Sequence, residues 1–140
     1  MSVLRKTREH YKGLEELADG LCIEKVICDP SAASFIQCIR RHGKYTVQPA
    51  KNDVVSGIRL VSDCIKDGRI RINRRCRDTL REINLYRWDD KAALLGVEKP
   101  VKENDHAMDA LRYFVNSLPD WRFEHAVSYT HLTLPTTSRV

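Results

Sequence analysis

The sequence predicts an α/β fold with mainly parallel strands flanked by helices, and three observations carry that expectation. Short runs rich in β-branched residues alternate with stretches of helical periodicity. The short runs stop at Pro30 and Pro49, which cannot continue a ladder. The helical stretches stop at Gly20, Gly43, Gly68 and Gly96, the residue that most readily adopts the left-handed conformation ending a helix.

The elements follow in order. Tyr11, Leu14, Leu17, Ala18 and Leu21 predict a helix over about 7–20. The run Ile23–Cys28 predicts a buried strand that ends at Asp29-Pro30. Ser31 is placed to cap a helix over about 32–42, with Phe35, Ile36 and Ile39 on one side. A second strand is expected at 45–48. Val54, Ile58, Val61 and Ile65 then mark a helix over about 53–66. Arg69-Ile-Arg-Ile-Asn73 alternates charged and apolar residues, as a half-exposed strand does. From Arg77, helical periodicity runs through Leu80, Ile83, Tyr86 and Trp88 to Gly96, and a last helix is expected over 104–118. In that helix, Ala107, Leu111, Phe114 and Leu118 form an apolar stripe expected to face a core.

The chain has 140 residues, room for one domain with a real core. No apolar run reaches the roughly 20 residues that span a bilayer, and the N-terminus lacks the apolar stretch of a secretory signal. The cysteines, Cys22, Cys28, Cys38, Cys64 and Cys76, are odd in number and contain no CxxC spacing. Reduced thiols in a cytoplasm are expected, with Cys28 as a small core residue. Neither Cys22 nor Cys28 has a histidine nearby in sequence to activate it. Phosphate-loop, dinucleotide-loop, nucleophile-elbow and HExxH motifs are absent.

Residues 126–140 are set apart. Ala126-Val-Ser-Tyr-Thr-His-Leu-Thr-Leu-Pro-Thr-Thr-Ser-Arg-Val140 resembles the translation of an adapter used in transposase-based sequencing libraries. This tail is expected to be artefactual and disordered, so His131 carries no functional weight.

Two places could carry chemistry. Asp29, at the carboxyl end of a predicted strand, stands where ligands gather in open α/β sheets. A carboxylate there can bind a hard divalent cation, or it can simply form the turn that Asp-Pro favours. His106 and Asp109 are three apart, so a helix puts them on one face, where they could grip one ion. A solvated polar face reads the same way. Arg69, Arg71, Arg74, Arg75 and Arg77 lie within nine positions, and the formal charge is +5. Such a cluster attracts polyanions or is a solvated surface.

Four blocks of sequence decide between these alternatives: Asp29-Pro-Ser-Ala-Ala-Ser-Phe35, Asn52-Asp-Val54 with Gly57-Ile58, Tyr86–Asp89, and Lys102-Glu-Asn-Asp-His-Ala-Met-Asp-Ala-Leu-Arg-Tyr113. Together, from about Thr7 to Val115, they resemble the C-terminal nuclease domain of phage terminase large subunits. The resemblance implies an RNase H-like fold (retroviral integrase superfamily), cut short at its N-terminus and occupying residues 1–125. It implies an endonuclease that cleaves concatemeric viral DNA during packaging, using two Mg²⁺ or Mn²⁺ ions for in-line displacement. Asp29 matches the family's second acid, Asp109 the acid on the last helix, and His106 an additional metal ligand. The first acid and the ATPase half match nothing in this chain, so the fragment alone is expected to be inactive. Within the resemblance, Arg69 to Arg77 become a candidate surface for double-stranded DNA. The terminase small subunit and the portal are the further partners implied, in a bacterial host cytoplasm. Another RNase H-like nuclease, such as a resolvase or transposase, and a non-catalytic DNA-binding or assembly module remain the alternatives.

Overall fold

The structure, a computed structural model, describes residues 3–119; the tail 126–140 and the last residues of the 1–125 segment lie outside the described residues. The chain divides into two compact units, Met1–Asn52 and Asp53–Val140.

The first unit holds helix α1 (Val3–Ala18), strand β1 (Val26–Cys28), helix α2 (Ala33–His42) and strand β2 (Val47–Pro49). The strands pair in parallel, with Val26 opposite Val47 and Cys28 opposite Pro49. A parallel pair needs a crossover, and α2 supplies it. Pro49 closes the second strand from within, because Ala50 N–H, not the missing proline N–H, donates to the Cys28 carbonyl at 2.8 Å. Both strands are shorter than expected: Ile23–Lys25 lie outside the ladder, and the second strand starts two residues late.

Tyr11, Cys28, Ile36 and Ile39 form the buried core of this unit. The Tyr11 ring stacks on the His42 imidazole at 3.9 Å between centroids, which joins α1 to the end of α2. Gly43 ends α2 with φ 68°, its N–H donating to the Ile39 carbonyl at 3.2 Å. Ser31 does not cap this helix. Ala32 is the N-cap residue and supplies no side-chain bond. Ser31 instead donates from N and Oγ to Asp29 Oδ1 at 2.7 and 2.6 Å, closing a local turn of the kind Asp favours.

The second unit is helical among the described residues: α3 (Val54–Lys66), α4 (Arg77–Leu85), α5 (Asp90–Leu94) and α6 (His106–Asn116). Helix α6 packs against both α3 and α4. Residues 69–73 are not a strand. They form a connection without a ladder partner, in which Ile70 N–H bonds the Cys64 carbonyl at 3.0 Å. Alternation fixes which side chains are half-buried, but a strand also needs a neighbour to pair with.

The expected continuous helix over 77–96 is broken into α4 and α5. Between them Trp88 bridges Pro100 in antiparallel sense, and Asp89 N–H donates to the Lys99 carbonyl at 2.9 Å. Asp89 then restarts the helix as its cap, Oδ1 accepting from Lys91 and Ala92 N–H at 3.0 and 3.1 Å.

Candidate metal-binding face of helix α6

Helix α6 is fixed by an acid from another helix. Asp105, its N-cap residue, makes no side-chain capping bond. The buried Glu82 of α4 caps it instead, across the interface: its Oε2 accepts from Ala107 N–H at 2.7 Å and from Met108 N–H at 3.3 Å. Those donors have no intrahelical partner, and a carboxylate at a helix N-terminus is favoured by the dipole.

The buried face of α6 differs from the expected stripe. Met108, Arg112, Tyr113 and Val115 are buried, whereas Phe114 is 53% exposed. The reason lies on α3. A Cβ built on Gly57 would lie 2.7 Å from Asn116 Nδ2 and 2.8 Å from Arg112 Cγ, so the glycine lets the two helices close at Arg112. The arginine stem fills that space, and its head, on a residue only 2% exposed, turns back along the helix.

The head meets Asp109. Arg112 Nη2 donates to Asp109 Oδ1 at 2.8 Å, and Nη1 makes a longer contact with the Asp53 carbonyl at 3.4 Å. The other oxygen, Asp109 Oδ2, pairs with Lys102 Nζ at 3.4 Å. The same ammonium pairs with Asp105 Oδ2 at 3.3 Å. Partial burial alone would lower the pKa of Lys102, but the Asp109 charge and the bonds to both carboxylates outweigh it, and the net shift is upward. The Tyr86 phenol is also pushed up, first by burial and then by the Asp109 charge.

The predicted residues are placed as follows. His106 opens α6, exposed, and Asp109 lies one turn on, partly buried; both belong to the second unit. Asp29 directly follows β1, exposed, in the first unit. Among the described residues no group of three or more His, Cys, Asp or Glu side chains is gathered tightly enough to hold an ion. Of the basic cluster, Arg71, Arg74, Arg75 and Arg77 are exposed, while Arg69 is folded into an ion pair with Asp67.

Three residues of this face were not singled out from the sequence: Glu82, Lys102 and Arg112. Arg112 stands three positions after Asp109, a spacing at which opposite charges meet on a helix. Lys102 and Glu82 left no such signal, since one precedes the helix and the other lies 25 residues upstream of its partner. A further thiol–imidazole contact, Cys38 Sγ to His42 Nδ1 at 3.8 Å, does not make a nucleophile. The same nitrogen lies 2.9 Å from the Cys38 carbonyl and donates its proton there, so it is no base for the thiol.

Comparison with known proteins decides the family. A sequence profile described as the terminase RNaseH-like domain matches residues 5–118. The chain belongs to the terminase RNase H-like domain family. The terminase large subunit of Escherichia phage T5 is 26% identical over 117 residues, covering 81% of this chain and 27% of that protein. Crystal structures of the large terminase from a thermophilic bacteriophage agree more closely. The form in complex with ADP superposes with a TM-score of 0.77 at 45% identity, covering 80% of this chain and 28% of that one. The form in complex with ATP-gamma-S gives 0.76 at 46% identity, covering 79% of this chain and 28% of that one. This terminase domain therefore has the RNase H-like α/β fold, and it spans little more than a quarter of the relatives it matches.

Proposed function

We propose that this terminase domain is the metal-dependent nuclease part of a phage large terminase, which cuts concatemeric viral DNA during packaging in the host cytoplasm. The observation that carries the reading is the state of Asp109: one oxygen is anchored by the buried Arg112, and the other faces a cation, the Lys102 ammonium. A carboxylate held in one orientation, with an exposed imidazole one turn away at His106, is a donor set suited to Mg²⁺ or Mn²⁺. The location of Asp29 at the carboxyl end of β1 supports it as the partner acid.

In this reading Asp29 and Asp109 are the catalytic carboxylates and His106 is a further ligand. When bound, the two ions would activate water and stabilise the leaving oxygen of the phosphodiester. The protein's share is orientation. Arg112 holds Asp109, and Glu82 holds the first turn of α6 that presents His106. Arg71, Arg74, Arg75 and Arg77, with Arg69 where its pair with Asp67 opens, would meet the backbone of double-stranded DNA without reading its sequence. The terminase small subunit and the portal would be partners of the whole enzyme. The 140-residue chain by itself is proposed not to cut, since among the described residues no three such donors gather to build a two-ion centre. A purely assembly role would leave the buried Arg112–Asp109 arrangement without purpose beyond packing.

A chimaera tests this. Residues 5–118 would replace the matching segment of the thermophilic phage's large terminase. The chimaera is expected to cleave plasmid DNA with Mn²⁺, and Asp29→Asn or Asp109→Asn to reduce cleavage to background with ATP hydrolysis intact. Full cleavage by Asp109→Asn would overturn the assignment. Nicking by the 140-residue chain alone would overturn its proposed inactivity.

A further inference from the structure

We propose that Lys102 is a tethered competitor for the divalent cation at Asp109: its ammonium neutralises Oδ2 until metal arrives, then withdraws onto Asp105. The inference rests on the reading of Asp109 as a metal ligand and adds a residue that sets how tightly that ligand binds.

The two oxygens of Asp109 are not equivalent. Oδ1 is bound at 2.8 Å by a guanidinium whose side chain is 2% exposed and whose stem is wedged against Gly57. Moving Arg112 would break a buried charge pair and open a packed helix contact, which is costly. Oδ2 is bound at a looser 3.4 Å by a lysine whose side chain is 64% exposed. A solvated lysine on a flexible stem is the partner that can leave. Metal therefore meets Asp109 most readily at Oδ2, and that oxygen is already paired with the positive Lys102 ammonium.

Asp105 makes the exchange reversible. Its side chain is 13% exposed and its Oδ2 holds the same ammonium at 3.3 Å. When Asp109 is taken by a metal, Lys102 keeps one of its two carboxylates, so only a single solvated ion pair is lost and the ammonium stays nearby to return. The chain reversal that brings Lys102 back over the start of α6 is fixed at Asn104, the residue with φ 52°. That left-handed conformation, which asparagine tolerates, puts the lysine on the same side as a residue seven positions later.

The test titrates Mn²⁺ into the 140-residue chain and follows paramagnetic broadening of the His106 imidazole signals. Lys102→Met keeps the aliphatic stem and removes the charge. It is expected to tighten Mn²⁺ binding about fivefold, equivalent to the ~1 kcal/mol of a solvated ion pair. Lys102→Arg should bind within about twofold of the original chain, since the charge is kept. Lys99→Met, which removes an exposed charge paired with Asp89 at 4.0 Å, should also change affinity by less than about twofold. Lys102→Gln provides a second neutral variant if the methionine disturbs folding, which circular dichroism reports. Broadening in all variants with unchanged or weaker affinity in both neutral ones would overturn the competitor role and leave the ligand reading standing. Equal tightening in Lys99→Met would reduce the effect to net charge and overturn it too. Absence of His106 broadening in every variant would instead remove the metal reading, and this inference with it.

Discussion

Arg112 and Asp109, one turn apart on α6, form a 2.8 Å pair in which the arginine is buried and the aspartate offers Oδ2 most readily. The pair links packing to chemistry, because the same arginine fills the space that Gly57 leaves on α3.

Arg112→Met should therefore cost stability. Removing one member of a buried pair strands the other, and about 2–4 kcal/mol is expected once the partial exposure of Asp109 is allowed for. Urea unfolding measures it; a loss below about 0.5 kcal/mol would place the pair among ornamental surface contacts.

Gly57→Ala opposes two effects. Alanine favours the helix by about 1 kcal/mol, but its Cβ would lie 2.8 and 2.9 Å from Arg112 Cγ and Cδ, near the root of a buried side chain that cannot swing away. Overpacking should win, with a net loss of about 1–2 kcal/mol. Increased stability by thermal unfolding would show that α3 and α6 are not closely packed there.

Glu82→Ala removes the acceptor of two α6 N–H groups and should cost about 1–2 kcal/mol, the usual range for a lost helix cap. Hydrogen exchange is expected to accelerate first at Ala107 and Met108. Protection unchanged at those two amides would assign the capping role elsewhere.

Tyr11 should make the first unit sensitive to alkali. Its phenol is raised above the ordinary tyrosine value of 10.0, first by burial and then by the Glu15 charge. A group whose folded pKa is raised contributes stability that is complete below its unfolded value and is lost as pH rises through the folded one. The unit should thus hold through neutral pH and weaken only above about pH 10. Tyr11→Phe, measured by pH-dependent unfolding, should flatten that alkaline decline; an identical slope would mean the ring is solvated.

Much of this was legible in the chain, for physical reasons that also mark where reading failed. Helical periodicity located α2, α3 and α6 to within two residues; α2 and α3 each carry an apolar face that runs up to a glycine, Gly43 or Gly68, whereas for α6 the extent was legible and the buried face was not. Strand placement was legible where β-branched residues met a proline and misleading at 69–73, where alternation had no partner strand. The break at Tyr86–Asp89 was missed although Asp89 is a good capping residue, since the apolar rhythm runs through it. At the site, Asp29, His106 and Asp109 were visible as residue types in a recognisable order. What the sequence hid was which side chain turns inward. Arg112 looks like a surface charge until Gly57 provides the room for its stem.

The most direct measurement is the anomalous X-ray signal of manganese in crystals of this chain soaked with Mn²⁺. A peak is expected ~2.2 Å from Asp109 Oδ2, close to His106, with Arg112 still on Oδ1 and Lys102 drawn onto Asp105. A well-ordered α6 with no manganese near Asp109, and Lys102 still seated on both carboxylates at high metal concentration, would contradict the account.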